Sequence, residues 1–263
     1  MRNQPIDSKA TSSGSKKSIA VYVKWLLGIL FAGVCVFLVI NKTSNGKKFN
    51  EVKIEIEPLP NKINFLDEKD IHQIIDSLTD QPDFKKANCE AVLEQNPYIK
   101  NAEVFVDLKQ NLFCKITQRQ PIVRVINSAQ QQYYIDKEGT KFNVITGTSA
   151  RVLVANGYIK EKRSPQDSLY SKTLKEVFKV ASYVESELFW KQFTEQLYVD
   201  KYNDLILIPK VGSFTIVLGN SERLEEKFSD LKVFITTALP KVGYEKYKTL
   251  SVKYKGQIVT KKK

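Results

Sequence analysis

A single histidine, His72, serves the whole 263-residue chain. One imidazole removes most nucleophile–base triads and most zinc chemistry. The three cysteines, Cys35, Cys89 and Cys114, form no CxxC pair and no Cys/His cluster, so neither a disulfide scaffold nor a metal site is indicated. Cys89 and Cys114 are either two small buried hydrophobes or, in an oxidising compartment, a pair. No internal repeat is present. A basic field is missing where a nucleic-acid binder would need one. The net charge is +12, but the excess lies in the N-terminal tail, at Lys24, at Lys42, Lys47 and Lys48, and at the last five lysines. Residues 49–252 are formally neutral, which excludes a concentrated phosphate-binding surface in the body and hence specific nucleic-acid recognition.

What the sequence does have is one long apolar run, IAVYVKWLLGILFAGVCVFLVI, from Ile19 to Ile40. Its 22 residues, at about 1.5 Å each, reach across a hydrocarbon core of about 30 Å. Lys24 lies near one end, where it can snorkel beside Tyr22 and Trp25. The run is too long for a signal-peptide core, no small-x-small site follows it, and Val34 before Cys35 rules out a lipoprotein signal. The reading is a retained transmembrane helix over 19–40. Arg2, Lys9, Lys16 and Lys17 against Lys42, Lys47 and Lys48 place the N-terminus in the cytoplasm by the positive-inside count. Residues 1–18, rich in Ser and Lys, are expected to be a disordered cytoplasmic tail, and 41–48 a juxtamembrane linker.

Beyond the linker the periodicities describe an α+β protein. FNEVKIEI alternates as a half-buried strand. NFLDEKDIHQIIDSL switches to helical period, with Asp67 as N-cap, Leu66 and Ile71 as a hydrophobic staple, and Ile71, Ile74, Ile75 and Leu78 as the apolar stripe. His72 falls off that stripe and reads as a surface residue. A second helix, CEAVLEQ, faces inward with Cys89, Val92 and Leu93 and ends before Pro97. A hairpin follows, with Val104 and Val106 on one arm, a turn at Gln110, and Leu112, Cys114 and Ile116 on the other. After Pro121 come IVRVI, QYYID with a DKEG turn, and ARVLVANG. Next is a helix over about 169–193 with Leu174, Val177, Phe178, Ala181 and Val184 inward. EQLYVD, DLILIPKV and SFTIVLG then read as strands, the last two joined at Gly212. Ser221 caps a helix with the stripe Leu224, Phe228, Leu231, Ile235 and Ala238, and TLSVKYKGQIV is the final strand. These readings give a mostly antiparallel β domain with two helices.

Three segments in this order resemble the FtsQ/DivIB family of bacterial cell-division proteins. Leu93 to Val125, containing Arg119-Gln120-Pro121, is similar to the family's passage from its POTRA domain into its β domain. Tyr133 to Phe142, YYIDKEGTKF, is similar to its aromatic-Asp-x-x-Gly turn. Ile216 to Lys232 looks like its strand, Leu-Gly turn and Lys-containing helix. The resemblance implies a POTRA domain (β-α-α-β-β) over 49–120, a β domain over 121–263 with a C-terminal edge strand, and residence in the bacterial inner membrane at the division septum. It implies a non-catalytic assembly protein, without cofactor or metal, that bridges early and late division proteins. The POTRA domain would recruit the protein to the septum through an open sheet edge. The last strand would capture an FtsB/FtsL-type coiled-coil partner by strand addition, through Val252, Lys253, Tyr254, Lys255, Gly256 and Ile258. Lysines guard such an edge against unintended pairing, and Gly256 allows close backbone approach.

Two other classes stand beside this one. An anchored extracytoplasmic hydrolase would need a working pair of carboxylates, yet Asp67, Glu68 and Asp70, like Glu222, Glu225 and Glu226, already read as acidic helix starts. Another POTRA-type assembly factor would need repeated units or a barrel, and neither is visible in the sequence.

Overall fold

The computed structural model describes residues 25–37, 49–60, 63–81, 83–145, 147–161 and 169–263. Residues 25–37 are helical, with their apolar side chains exposed. The ends of the 19–40 run, the tail and the 41–48 linker lie outside the described residues. Among the described residues no helix is long and apolar enough to cross a membrane.

The first unit follows the expected order: β1 (Val52–Glu57), α1 (Glu68–Thr79), α2 (Lys86–Glu94), β2 (Ile99–Val106) and β3 (Leu112–Gln118). β3 lies in the middle, parallel to β1 and antiparallel to β2. Asp67 caps α1, its carboxylate accepting from Lys69 N at 2.9 Å, and Leu66 and Ile71 are buried in one cluster with Ile75, Leu93, Leu112 and Ile116. His72 is half-buried. On α2 only Cys89 and Leu93 are buried; Val92, about 100° round the helix from Leu93, is on the rim. Cys89 and Cys114 are both free and buried, and burial pushes the first thiol to about 11 and the second to about 12.

The second unit is one nine-stranded sheet. Its strands are β4 (Pro121–Ile126), β5 (Gln132–Asp136), β6 (Lys141–Asn143), β7 (Leu153–Gly157), β8 (Thr194–Val199), β9 (Leu205–Pro209), β10 (Thr215–Gly219), β11 (Tyr247–Ser251) and β12 (Val259–Lys262). They lie in the order β12-β11-β10-β9-β8-β7-β4-β5-β6. The sheet is more mixed than expected, because β4–β7, β7–β8 and β10–β11 are parallel. The last two pairs follow from helical crossovers, which parallel neighbours require. Each expected helix is also broken. Glu187 leaves helical geometry between α3 (Lys172–Ser186) and α4 (Leu188–Phe193), and a π-helical segment, Phe234–Ala238, interrupts the run from α5 (Leu224–Val233) to α6 (Leu239–Val242).

Three details of these helices differ from expectation. Val180 is fully buried in α3, where Phe178 is only half-buried. The wider π turn brings Leu239 into the core in place of Ala238. Ser221 does not cap α5. The helix starts after Arg223, whose left-handed backbone (φ 54°) closes a turn that buried Lys227 grips by donating to Leu218 O (2.9 Å) and Asn220 O (2.8 Å).

Leu174, Val177, Trp190, Phe228 and Leu231 from these helices share one core cluster with Ala155, Leu197, Leu207, Ile216 and Leu250 from the strands. Among the described residues the opposite face of the sheet has no such layer over β7–β11. Register places Asn156, Tyr198, Ile206, Val217 and Ser251 in one row across that face, all half-buried. A second row holds Val154, Gln196, Ile208, Thr215 and Thr249, likewise half-buried. None of the ten belongs to or packs against a core cluster.

At the β5–β6 end the same face is covered by the first unit. Phe65 stacks among Tyr134, Phe142 and Tyr98 at centroid distances of 5.8, 6.1 and 5.9 Å, and Leu59 closes the cluster. Arg119 locks this contact. Its guanidinium donates to Asp136 Oδ2 at 2.5 Å, to Pro97 O and to Ile99 O, so one side chain ties the β4 entry, the 136–140 turn and the start of β2 together. Gln118, buried beside it, accepts from Phe65 N and donates to Glu57 O. Asp136 is almost wholly buried, so Arg119→Ala strands a buried carboxylate and is expected to cost on the order of 3 kcal/mol in chemical denaturation. Lys100→Ala, which removes the half-exposed Lys100–Glu138 pair at the same junction, should cost less than about 1 kcal/mol.

Candidate partner-binding edge

The C-terminal edge is built by β10, β11 and β12. β11 lies parallel to β10, and β12 folds back antiparallel on β11, with Ser251 opposite Val259 and Thr249 opposite Lys261. The expectation of one continuous final strand over TLSVKYKGQIV is therefore corrected. Val252 to Ile258 are the connection between β11 and β12, and β12 covers the β11 edge. Gly256, at φ 68°, supplies the left-handed residue that lets the chain reverse.

The six expected contact residues occupy distinct environments in this connection. Val252 is buried, its N–H bonded to Val217 O at 3.0 Å, so it holds the sheet and offers nothing outward. Lys253 lays its stem over Gly219, where a Cβ would meet Lys253 Cγ at 2.9 Å, and its ammonium reaches Asp204 Oδ2 at 2.6 Å. That hydrogen bond holds the Lys253 pKa above the usual lysine value. Tyr254, Lys255 and Gly256 are exposed at the tip, and Ile258 packs back on the core. Structure thus brings Tyr254, Lys255 and Gly256 together beside the start of β12, and assigns Val252, Lys253 and Ile258 to anchoring.

β12 itself is short and lysine-rich, VTKK, with no strand on its outer side among the described residues. Its end is clamped. Lys263 N donates to Lys246 O, and Lys263 Nζ pairs with Glu245 at 2.7 Å, with Ser213 also in the cluster. Lys263 holds the exposed Glu245 carboxyl below its usual range, chiefly through that hydrogen bond. β12 was not recognised from sequence. Only the residue pattern VTKK after a glycine turn could have signalled it, and a run of lysines reads equally as a solvated tail.

The edges of the first unit are unequal. β2 is an outer strand, but its outward N–H groups at Ala102 and Val104 donate to Glu94 (3.2 Å) and Glu90 (2.8 Å) from α2. Those carboxylates occupy the donors that an incoming strand would need. The β1 edge has no such cover among the described residues.

Elsewhere the buried ionisable groups are committed to holding the fold. Lys141 and Glu161, both fully buried, pair at 2.8 Å, and Glu161 also accepts from Ser171 N at 2.7 Å and from Tyr170 N. Burial alone would raise the Glu161 pKa; Lys141, Ser171 and Tyr170 together bring it below the usual carboxylate value. Lys227 is pulled below the usual lysine value by burial and by nearby Arg223. Among the described residues no group of three or more His, Cys, Asp or Glu is placed to hold a metal ion.

A family model described as FtsQ/DivIB, C-terminal related, matches residues 120–261, just over half of the chain. The match begins beside Arg119 and takes in the nine-stranded sheet up to Lys261 of β12. No curated protein matches.

The Glu161 pair gives a pH signature. Because its folded pKa is depressed, the stability it contributes is complete above the unfolded value of about 4.3 and is lost as pH falls through the folded value. Glu161→Gln should cost on the order of 3 kcal/mol near neutrality and flatten the loss of stability below about pH 4, measured by denaturant unfolding across pH.

Proposed function

Because the chain belongs to the FtsQ/DivIB C-terminal related family of cell-division proteins, we propose that it is a non-catalytic divisome assembly protein working at the bacterial inner membrane. In this reading residues 19–40 span the bilayer, with 1–18 in the cytoplasm and everything after the linker outside it. The 22-residue apolar run and the exposed helix at 25–37 support the span. The β-α-α-β-β order of residues 49–120, with β1 parallel to the central β3, supports a POTRA unit beside the membrane.

The observation that carries the partner reading is the outer side of β12, which no strand among the described residues pairs. An edge strand presents backbone donors and acceptors in a row, and a second chain can continue the sheet there. An FtsB/FtsL-type division protein would add its strand along β12 and meet Tyr254 at the connection. Lys261 and Lys262 discourage generic pairing and favour a partner with acidic residues beside its strand.

Recruitment would run through the POTRA unit, and the sealed β2 edge directs any strand addition there to β1. A chain lacking 49–120 that still gathers at the septum would refute this assignment. For the C-terminal edge, Tyr254→Ala should weaken capture of the co-expressed partner about tenfold or more while the melting temperature stays within about 2 °C. Unchanged capture with unchanged melting would remove Tyr254 from the contact.

A further inference from the structure

We infer that the end of the first unit nearest its tether, formed by the 107–111 turn and the start of α2, rests on the anionic headgroups of the bilayer surface. The inference rests on the reading of 19–40 as a membrane span and adds a second contact with the same membrane.

Position is the first ground. The chain enters the first unit at Phe49, eight residues beyond the end of the apolar run, and eight residues reach at most about 28 Å. Asn50 is bonded to the turn twice, its backbone N–H donating to Gln110 O at 3.0 Å and its Nδ2 donating to Lys109 O at 2.6 Å. The turn therefore sits against the point of attachment. The other end of the unit, at Gln118 and Arg119, is clamped to the large sheet, about 20 Å away along the seven residues of β3. One end of the unit is thus held by the second unit, and the other is held within reach of the bilayer.

Chemistry is the second ground. Leu108, at the tip of the turn, is the most exposed large apolar side chain among the described residues. A lone exposed leucine is ordinary on a protein surface, so its neighbours decide the matter. Lys109 beside it is exposed, and exposed Lys85 and Lys86 stand with Phe49, Phe84 and Val106 around an open hollow next to the turn. The two rings are half-buried and meet edge-to-face at 5.3 Å. Among the described residues none of these three lysines is in an ion pair. Asp107, the one carboxylate lining the hollow, is engaged within its own turn, where Oδ1 accepts from Asn111 N and Lys109 N at 2.8 Å each. Asp80 and Asp83 are the other acids on the connection from α1 to α2, and both are exposed.

The lipid surface suits this set. An apolar tip can enter the boundary between headgroups and acyl chains, ammonium groups meet phosphates, and aromatic rings are favoured at that depth. Lys42, Lys47 and Lys48 of the linker add positive charge on the same side. Attachment settles the choice of occupant, because a short tether keeps the bilayer at high effective concentration beside the turn. Held at both the tether and the tip, the first unit would stand at a fixed tilt and so set the height at which the large sheet is presented.

The test uses the full-length chain reconstituted in vesicles of phosphatidylcholine, with or without about one third phosphatidylglycerol. A photo-reactive residue at position 108 should give phospholipid adducts, detected by mass, at about five times or more the yield from position 202, an exposed site between β8 and β9. Phosphatidylglycerol should raise the yield at 108. Lys85→Glu combined with Lys86→Glu should cut that rise about threefold with melting unchanged, since acidic residues suit the first turn of a helix. A yield at 108 no higher than at 202, from a chain that the vesicles retain, refutes the contact and leaves the span standing. Equal yields in both kinds of vesicle overturn the role of the anionic headgroups. A chain that alkaline carbonate strips from the vesicles removes the span at 19–40 and this inference with it.

Discussion

The orientation of the two units depends on one guanidinium. Arg119 leaves β3 and, before the chain becomes β4, reaches the buried Asp136 carboxylate and two carbonyls at the start of β2. Asp136 is already shaping its own turn, accepting from Glu138 N and Thr140 N, so the ion pair couples a local turn to a long-range contact. The aromatic cluster of Phe65, Tyr98, Tyr134 and Phe142 supplies apolar area but little direction. Directional bonds from a planar fork decide which way that area meets. The junction covers β5 and β6, so it also decides which part of the large sheet the first unit occupies.

Much of the fold could be read from the sequence where the determinants are local. Alternation at Val104, Val106, Leu112, Cys114 and Ile116 located the first hairpin, and Asp67 with Leu66 and Ile71 located the start of α1. The connection at Val252 to Ile258 was misread because Val252, Tyr254 and Ile258 imitate strand alternation around Gly256. The information that breaks the strand is non-local: Val252 bonds to Val217, and Lys253 is drawn to Asp204. Ser221 misled for a similar reason. A serine before an acidic stretch is a sound capping signal, but the buried ammonium of Lys227 takes the carbonyls of that turn and moves the helix start. Register shifts such as the π segment carry no local signature that simple periodicity detects. Membership of the family was legible for a different reason, since Arg119 is fixed by the bonds of its guanidinium, and Gly139 and Gly219 by left-handed backbone that favours glycine.

The two units treat their outer strands in opposite ways, and the contrast bears on function. β2 has its outward donors occupied by Glu90 and Glu94, anchored on a helix that is itself packed in the core. A carboxylate bound to a backbone N–H must be displaced before a strand can add, so that edge is closed by chemistry. β12 is protected only by shortness and by lysines, whose ammonium groups extend into solvent and leave the backbone free. Such protection is selective. It repels flat apolar or basic strands, but an acidic partner converts the repulsion into attraction without first breaking a bond within the chain. The same distinction applies to the faces: helices cover one side of the large sheet, whereas among the described residues the other side is covered only at β5 and β6. An edge guarded by charge rather than by bonded donors keeps its backbone groups available, which the β2 edge does not.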